Sequence, residues 1–165
     1  MYSIKSTSHF SVVLVLPLLL LFLQGCAGTV QYLPNPGLLT GAHADILNFS
    51  DAEIDSHAVD QLYLKVARIM GITPNSSKPR PQVLVVAPAQ IHQEYLRLHH
   101  SAKAQNGIAL ALYVPSKNRI LIPSYDRTFL AHELAHYFTF HYLSVPRSDW
   151  EAIADKVVDE ERAAP

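Results

Sequence analysis

The sequence predicts an α+β domain, and three observations predict it. Apolar residues recur at helical spacing in several separate stretches, as in Ile54, Ala58, Leu62, Val66 and Ile69. A β-branched run, Gln82 to Ala87, and two short runs on either side of Pro115-Ser116-Lys117-Asn118 read as strands. The elements run helix, strand, helix, hairpin, helix, helix, which implies a small mixed or antiparallel sheet covered by helices. At 165 residues the chain is long enough for one core.

The N-terminus comes first in order. Residues 1–10 carry one positive charge, Lys5, and no acidic residue. Val12 to Leu23 is almost unbroken apolar sequence, followed by Leu23-Gln24-Gly25-Cys26. That profile describes a cleaved secretory signal over residues 1–25. The run falls short of the roughly 20 residues that span a bilayer, which weighs against an uncleaved anchor. Cys26 is the single cysteine, so no internal disulfide can form. Its place after Leu-x-Gly resembles the lipobox of bacterial lipoproteins. The resemblance implies a lipidated Cys26 and an envelope protein held on the membrane by its acyl chains. Ala27, rather than Asp, then implies the outer membrane, facing the periplasm. Without residues 1–25 the chain has twelve basic and fourteen acidic residues, a net charge of −2. A surface without basic excess gives no reason to expect a nucleic-acid partner.

Residues 27–42, with Pro34, Pro36 and Gly37, read as a tether, so the domain is expected over residues 43–165. Ser50 to Met70 reads as a helix opened by a capping box, Ser50-Asp51-Ala52-Glu53, and closed by Gly71. Residues 73–81 hold three prolines and read as a loop. Gln82 to Ala87 is a buried strand. Ala89 to Lys103 is a helix through Ile91, Tyr95 and Leu98. Gly107 to Val114 and Arg119 to Ile122 form a hairpin. Asp126 to Tyr142 and Ser148 to Arg162 are the last two helices. His92, His99 and His100 read as solvated surface residues of a polar helix.

The chemistry sits in His132-Glu133-Leu134-Ala135-His136. Residues four apart on a helix differ by about 40° and one turn, so His132 and His136 can grip one ion. Glu133 sits on a neighbouring part of that face, within reach of a water on the metal. Imidazole suits zinc, and catalytic zinc keeps three protein ligands and one open position. Zinc brings the pKa of a coordinated water to about 7. Glu133 is the candidate general base and then acid.

A third ligand is required. The motif resembles that of the zincins. The metzincin branch would need glycine and histidine where this chain has Thr139 and Tyr142, and His141 lies about 180° from His132. Trp150-Glu151-Ala152-Ile153-Ala154-Asp155 resembles instead the Glu-x-x-x-Asp pattern of gluzincins, the thermolysin-like superfamily. That resemblance implies Glu151 as the third zinc ligand and Asp155 as the partner that orients a zinc histidine, His132 first. Asp149 and Asp155 are fallback ligands. Ser148-Asp149-Trp150-Glu151 is also a capping box, which would use Glu151 differently. The superfamily further implies an edge strand that takes extended peptide by strand addition, here Gly107 to Val114; a plain core hairpin is the alternative. The large downstream helical domain of thermolysin-like enzymes is not within this sequence, and Tyr113, Tyr125, Tyr137 and Tyr142 are candidates for its transition-state role. The expected activity is a zinc-dependent peptidase acting on a peptide or protein substrate. A zinc-binding scaffolding lipoprotein without turnover, and an accidental motif without metal, are the alternatives.

Overall fold

Five short strands pair into one open mixed sheet in the order β1-β2-β3-β5-β4. They are β1 (Gly37–Thr40), β2 (Asp45–Asn48), β3 (Gln82–Val85), β4 (Leu112–Val114) and β5 (Arg119–Ile122). Among the described residues four α-helices accompany them: α1 (Ser56–Ile69), α2 (Pro88–Leu98), α3 (Arg127–Tyr142) and α4 (Trp150–Ala163). The computed structural model describes residues 37–99 and 108–163. All of these belong to one of two compact units of the chain, Leu33–Pro165. The expected signal, Cys26, His100 and residues 101–107 lie outside the described residues. Among the described residues no helix is long and apolar enough to cross a membrane.

The two central pairings, β2 with β3 and β3 with β5, are parallel; the outer ones are antiparallel. Parallel neighbours need a crossover, and α1 supplies the first while α2 lies on the second. Strand residues alternate between two apolar layers. Ile46, Val83, Val85, Ile120 and Ile122 face α1, α3 and α4, whereas Leu84, Val86, Leu112 and Leu121 face Ile91 of α2. Coverage on both faces explains why β3 reads as continuous Val and Leu rather than as an alternating strand.

The central helix, α3, is buried on almost every side, with Leu130, Leu134 and Phe138 fully enclosed. Each such side chain contributes roughly 1.5–3 kcal/mol over its exposed state. Asp126 caps the helix by accepting the Phe129 N–H at 2.9 Å. The β4–β5 connection is a 3₁₀ turn, Pro115–Lys117, closed by Asn118 in the left-handed region (φ 51°). Asn tolerates that backbone, and its side-chain amide donates to the Arg80 carbonyl at 2.7 Å.

Several expectations are corrected. Gly37–Thr40 belongs to the sheet rather than to a tether, because its backbone pairs with Asp45–Asn48. The first helix starts at Ser56, not Ser50: Asp55 accepts the His57 N–H and takes the cap. The strand expected over 107–114 is confined to Leu112–Val114, and the helix expected from Ala89 to Lys103 is Pro88–Leu98. A 3₁₀ turn, Arg147–Asp149, precedes α4, so the last helix starts at Trp150.

Candidate metal centre

His132 and His136 stand one turn apart on α3, and α4 packs across it. This brings Glu151, fifteen residues beyond His136 in sequence, to both imidazoles. His132 Nε2 lies 3.1 Å from His136 Nε2. Glu151 Oε2 is 3.3 Å from His132 Nε2, and Oε1 is 3.5 Å from His136 Nε2. Two donors, each about 2.05 Å from one tetrahedral ion, would stand about 3.3 Å apart. The two imidazole nitrogens fall close to that value, and each stands at a similar distance from one of the two Glu151 oxygens, so the three residues can hold one metal ion. It is the one group of three or more His, Cys, Asp or Glu able to hold a metal among the described residues.

Asp155 lies one turn beyond Glu151 on α4, and its Oδ1 is 3.6 Å from His132 Nδ1. A carboxylate on that side favours the tautomer with the proton on Nδ1, which leaves Nε2 as a donor towards Glu151. The competing capping box does not form. Ser148 Oγ donates to Asp149 Oδ1 at 2.9 Å instead, and Glu151 turns to the histidines. Asp149 is not among the three donors.

Glu133 is only 7 % exposed. Burial pushes its carboxyl up to about 8; the backbone N–H of Tyr113 on β4 opposes that rise, and the charge of Glu151 adds to it. Burial pushes His136 down to about 4, with Glu151 pulling the other way. Neutral imidazole is the form that binds a metal.

The three donors and Glu133 line a cavity of about 640 Å³. Its other walls come from Tyr95 of α2 and His99 just after it, from the segment leading into β4 (Ile108, Ala109, Ala111), from Leu112 and Tyr113 of β4, from Pro115, and from Arg147 and Trp150. The sequence singled out neither Tyr95, Arg147 nor Trp150 for this role. His99, read as solvated, is partly buried, packs its ring tilted against Tyr95 with centroids 4.7 Å apart, and lines the cavity. His92 is likewise partly buried, with Nδ1 unpaired among the described residues.

Of the four tyrosine candidates, Tyr113 alone lines the cavity, and its hydroxyl is 3.1 Å from His141 Nε2. Tyr137 donates to the Pro79 carbonyl, Tyr142 accepts from the Asn75 N–H, and Tyr125 borders a different cavity beside Asp55. His141 also contacts Asn118 Oδ1 at 3.1 Å, in keeping with its exclusion from the metal ligands.

No protein-family model matches the chain, and no curated protein or solved structure matches it.

Proposed function

We propose that the chain is a zinc-dependent peptidase of minimal gluzincin type, with His132, His136 and Glu151 as ligands. The observation that carries this reading is the convergence of three donors from two helices at 3.1–3.5 Å, beside a buried glutamate, in one cavity. Buried, perturbed carboxyls in such a cavity are typical of catalytic sites. When bound, zinc supplies Lewis-acid activation of water and of a substrate carbonyl.

The chain's own residues have distinct parts. Glu133, as the carboxylate, accepts the proton of the attacking water and passes it to the leaving nitrogen. Asp155 holds the His132 ring. β4 is the terminal strand of the sheet beside the cavity, the position at which an extended peptide would add. The proposal includes a signal over residues 1–25, lipidation of Cys26, and attachment to the outer membrane facing the periplasm.

Two experiments test it. Metal analysis of the purified chain should find about one zinc, lost in His132→Ala and in His136→Ala. A peptide library should be cleaved by the wild type and not by Glu133→Gln. Undiminished cleavage by Glu133→Gln would sink the mechanism. A Cys26→Ser variant should leave the membrane fraction; if it stays, the apolar run is an uncleaved anchor.

A non-catalytic, zinc-bound scaffold is the second reading. The engagement of the Tyr113 hydroxyl by His141 favours it, since that removes the nearest candidate for stabilising a transition state. One zinc per chain with no cleavage of any peptide would select it.

A further inference from the structure

Arg147 sits on the 3₁₀ turn that opens into α4, four residues before Glu151. Glu151 would be its natural ion-pair partner one turn on, yet that carboxylate is turned to the two imidazoles. No carboxylate among the described residues pairs with the Arg147 guanidinium. It lies instead over the Trp150 ring, 5.9 Å from the centroid. Trp150 in turn rests 5.9 Å from Phe140 and 6.2 Å from His136. The indole is thus a shelf between the metal ligands and the cation, and it limits where the guanidinium can go.

Arg147 is also the only lysine or arginine lining the cavity, among the described residues. Beside its polar groups the cavity wall carries Ile108, Ala109, Ala111 and Leu112, and Ile108 is 81 % exposed. A single guanidinium lining the cavity without a carboxylate partner is suited to one ligand chemistry. Its planar fork matches a carboxylate through two parallel hydrogen bonds.

We propose that Arg147 binds a carboxylate of the peptide substrate and so sets the specificity of the cleft. The inference rests on the peptidase reading for its substrate class. The carboxylate can come from the peptide C-terminus or from an aspartate or glutamate side chain, and the guanidinium treats the two alike.

Calorimetric binding separates this from turnover. The full chain in detergent, zinc-loaded and carrying Glu133→Gln, is titrated with three alanine-based pentapeptides. One has a free C-terminal acid, one is its amide, and one is an amide with a single internal glutamate. At least one acid-bearing peptide should bind about tenfold tighter than the neutral amide, the range expected for a hydrogen-bonded charge. Tight binding of the free acid alone assigns the terminal carboxylate; tight binding of the internal glutamate peptide assigns the side chain. Added Arg147→Gln should cut the preference below about twofold, while Arg147→Lys should keep part of it. Equal binding of all three peptides overturns the proposal. So does a preference that persists in Arg147→Gln, whether or not chelation abolishes it. If Arg147 carries the preference but the wild type cleaves nothing, the carboxylate site stands and the peptidase reading falls.

Discussion

Glu151→Gln separates metal binding from folding. The Glu151 side chain is 75 % exposed and its close contacts are the two imidazoles. Removing its charge should therefore leave the metal-free protein within about 0.5 kcal/mol of the wild type, as for most surface changes. With zinc at about one hundred times the wild-type Kd, zinc should stabilise the wild type by about 2.7 kcal/mol. Loss of an outer-shell partner costs about 10–100-fold in affinity, and a direct ligand should cost at least the upper figure. At the same zinc concentration the variant then sits near its own Kd and gains only RT ln 2, about 0.4 kcal/mol. For a domain of this size 1 kcal/mol moves Tm by about 3–5 °C. Zinc should raise Tm by about 8–14 °C in the wild type and by about 1–2 °C in the variant. The assay is thermal melting followed by circular dichroism, with free zinc clamped by a chelating buffer. A variant that keeps the wild-type shift would show that Glu151 is not a ligand. A metal-free variant melting 5 °C or more below the metal-free wild type would show that Glu151 is structural.

Asp155→Ala should weaken zinc about 10–100-fold while stoichiometry at saturation stays at one, whereas Asp149→Ala should leave zinc affinity unchanged; competition with a chromophoric chelator reads both. Phe138→Ala, at a fully buried position of α3, should cost about 3–5 kcal/mol in denaturant unfolding, and a loss under 1 kcal/mol would contradict the packing described. Glu94 accepts hydrogen bonds from Arg97 at 2.8 and 2.9 Å and from Lys117 at 2.8 Å. Chiefly through Arg97, and against a rise from burial, its carboxyl is held down to about 2 from 4.5. A depressed folded-state value gives stability that is present above pH 4.5 and lost as pH falls towards 2. Glu94→Gln should therefore flatten the loss of stability across that window, and equal slopes in both proteins would refute the linkage.

What was legible in the sequence was local. His132 and His136 meet because a 3.6-residue helix makes residues four apart neighbours, whatever surrounds them. Strands β3 and β5 were readable because their residues are apolar without interruption. Glu151 was ambiguous, since a carboxylate three residues after Ser148 can cap its own helix or leave it for a neighbour. The packing of α4 on α3 decides between these, and no short-range pattern encodes it. Strands β1 and β2 escaped for a related reason: Leu38 and Leu39 are both exposed, so no alternation marks β1. At the start of α1, the polar residues of the apparent capping box close a loop instead. Asn48 Oδ1 accepts the Ser50 N–H at 3.0 Å, and Ser50 Oγ accepts the Ala52 N–H at 3.2 Å. Ser and Asn side chains compete for backbone groups in either way. His99 looked solvated because the cavity it lines is completed by residues of α3 and of the turn before α4, far from it in sequence.

The precision of the candidate site depends on how α4 is held. Its buried face is Ala154, Val157, Val158 and Glu161, a 3-4 spacing that fixes which side turns to α3 and α1. Apolar contacts alone tolerate small slips along the helix axis. Glu161 is different, because its 5 %-exposed carboxylate engages Arg127 at the start of α3 and Lys65 on α1, whose ammonium also donates to the Glu161 carbonyl at 3.0 Å. A charge cluster joining three helices rejects a slipped register, since a shift would leave a buried carboxylate without partners. Glu151 lies ten residues away, about 15 Å along the same helix. A slip of one residue at α4 would rotate Glu151 by about 100° and take its oxygens out of reach of both imidazoles. The buried ionic cluster at one end of α4 thus fixes the register that brings an exposed carboxylate to the histidines at the other.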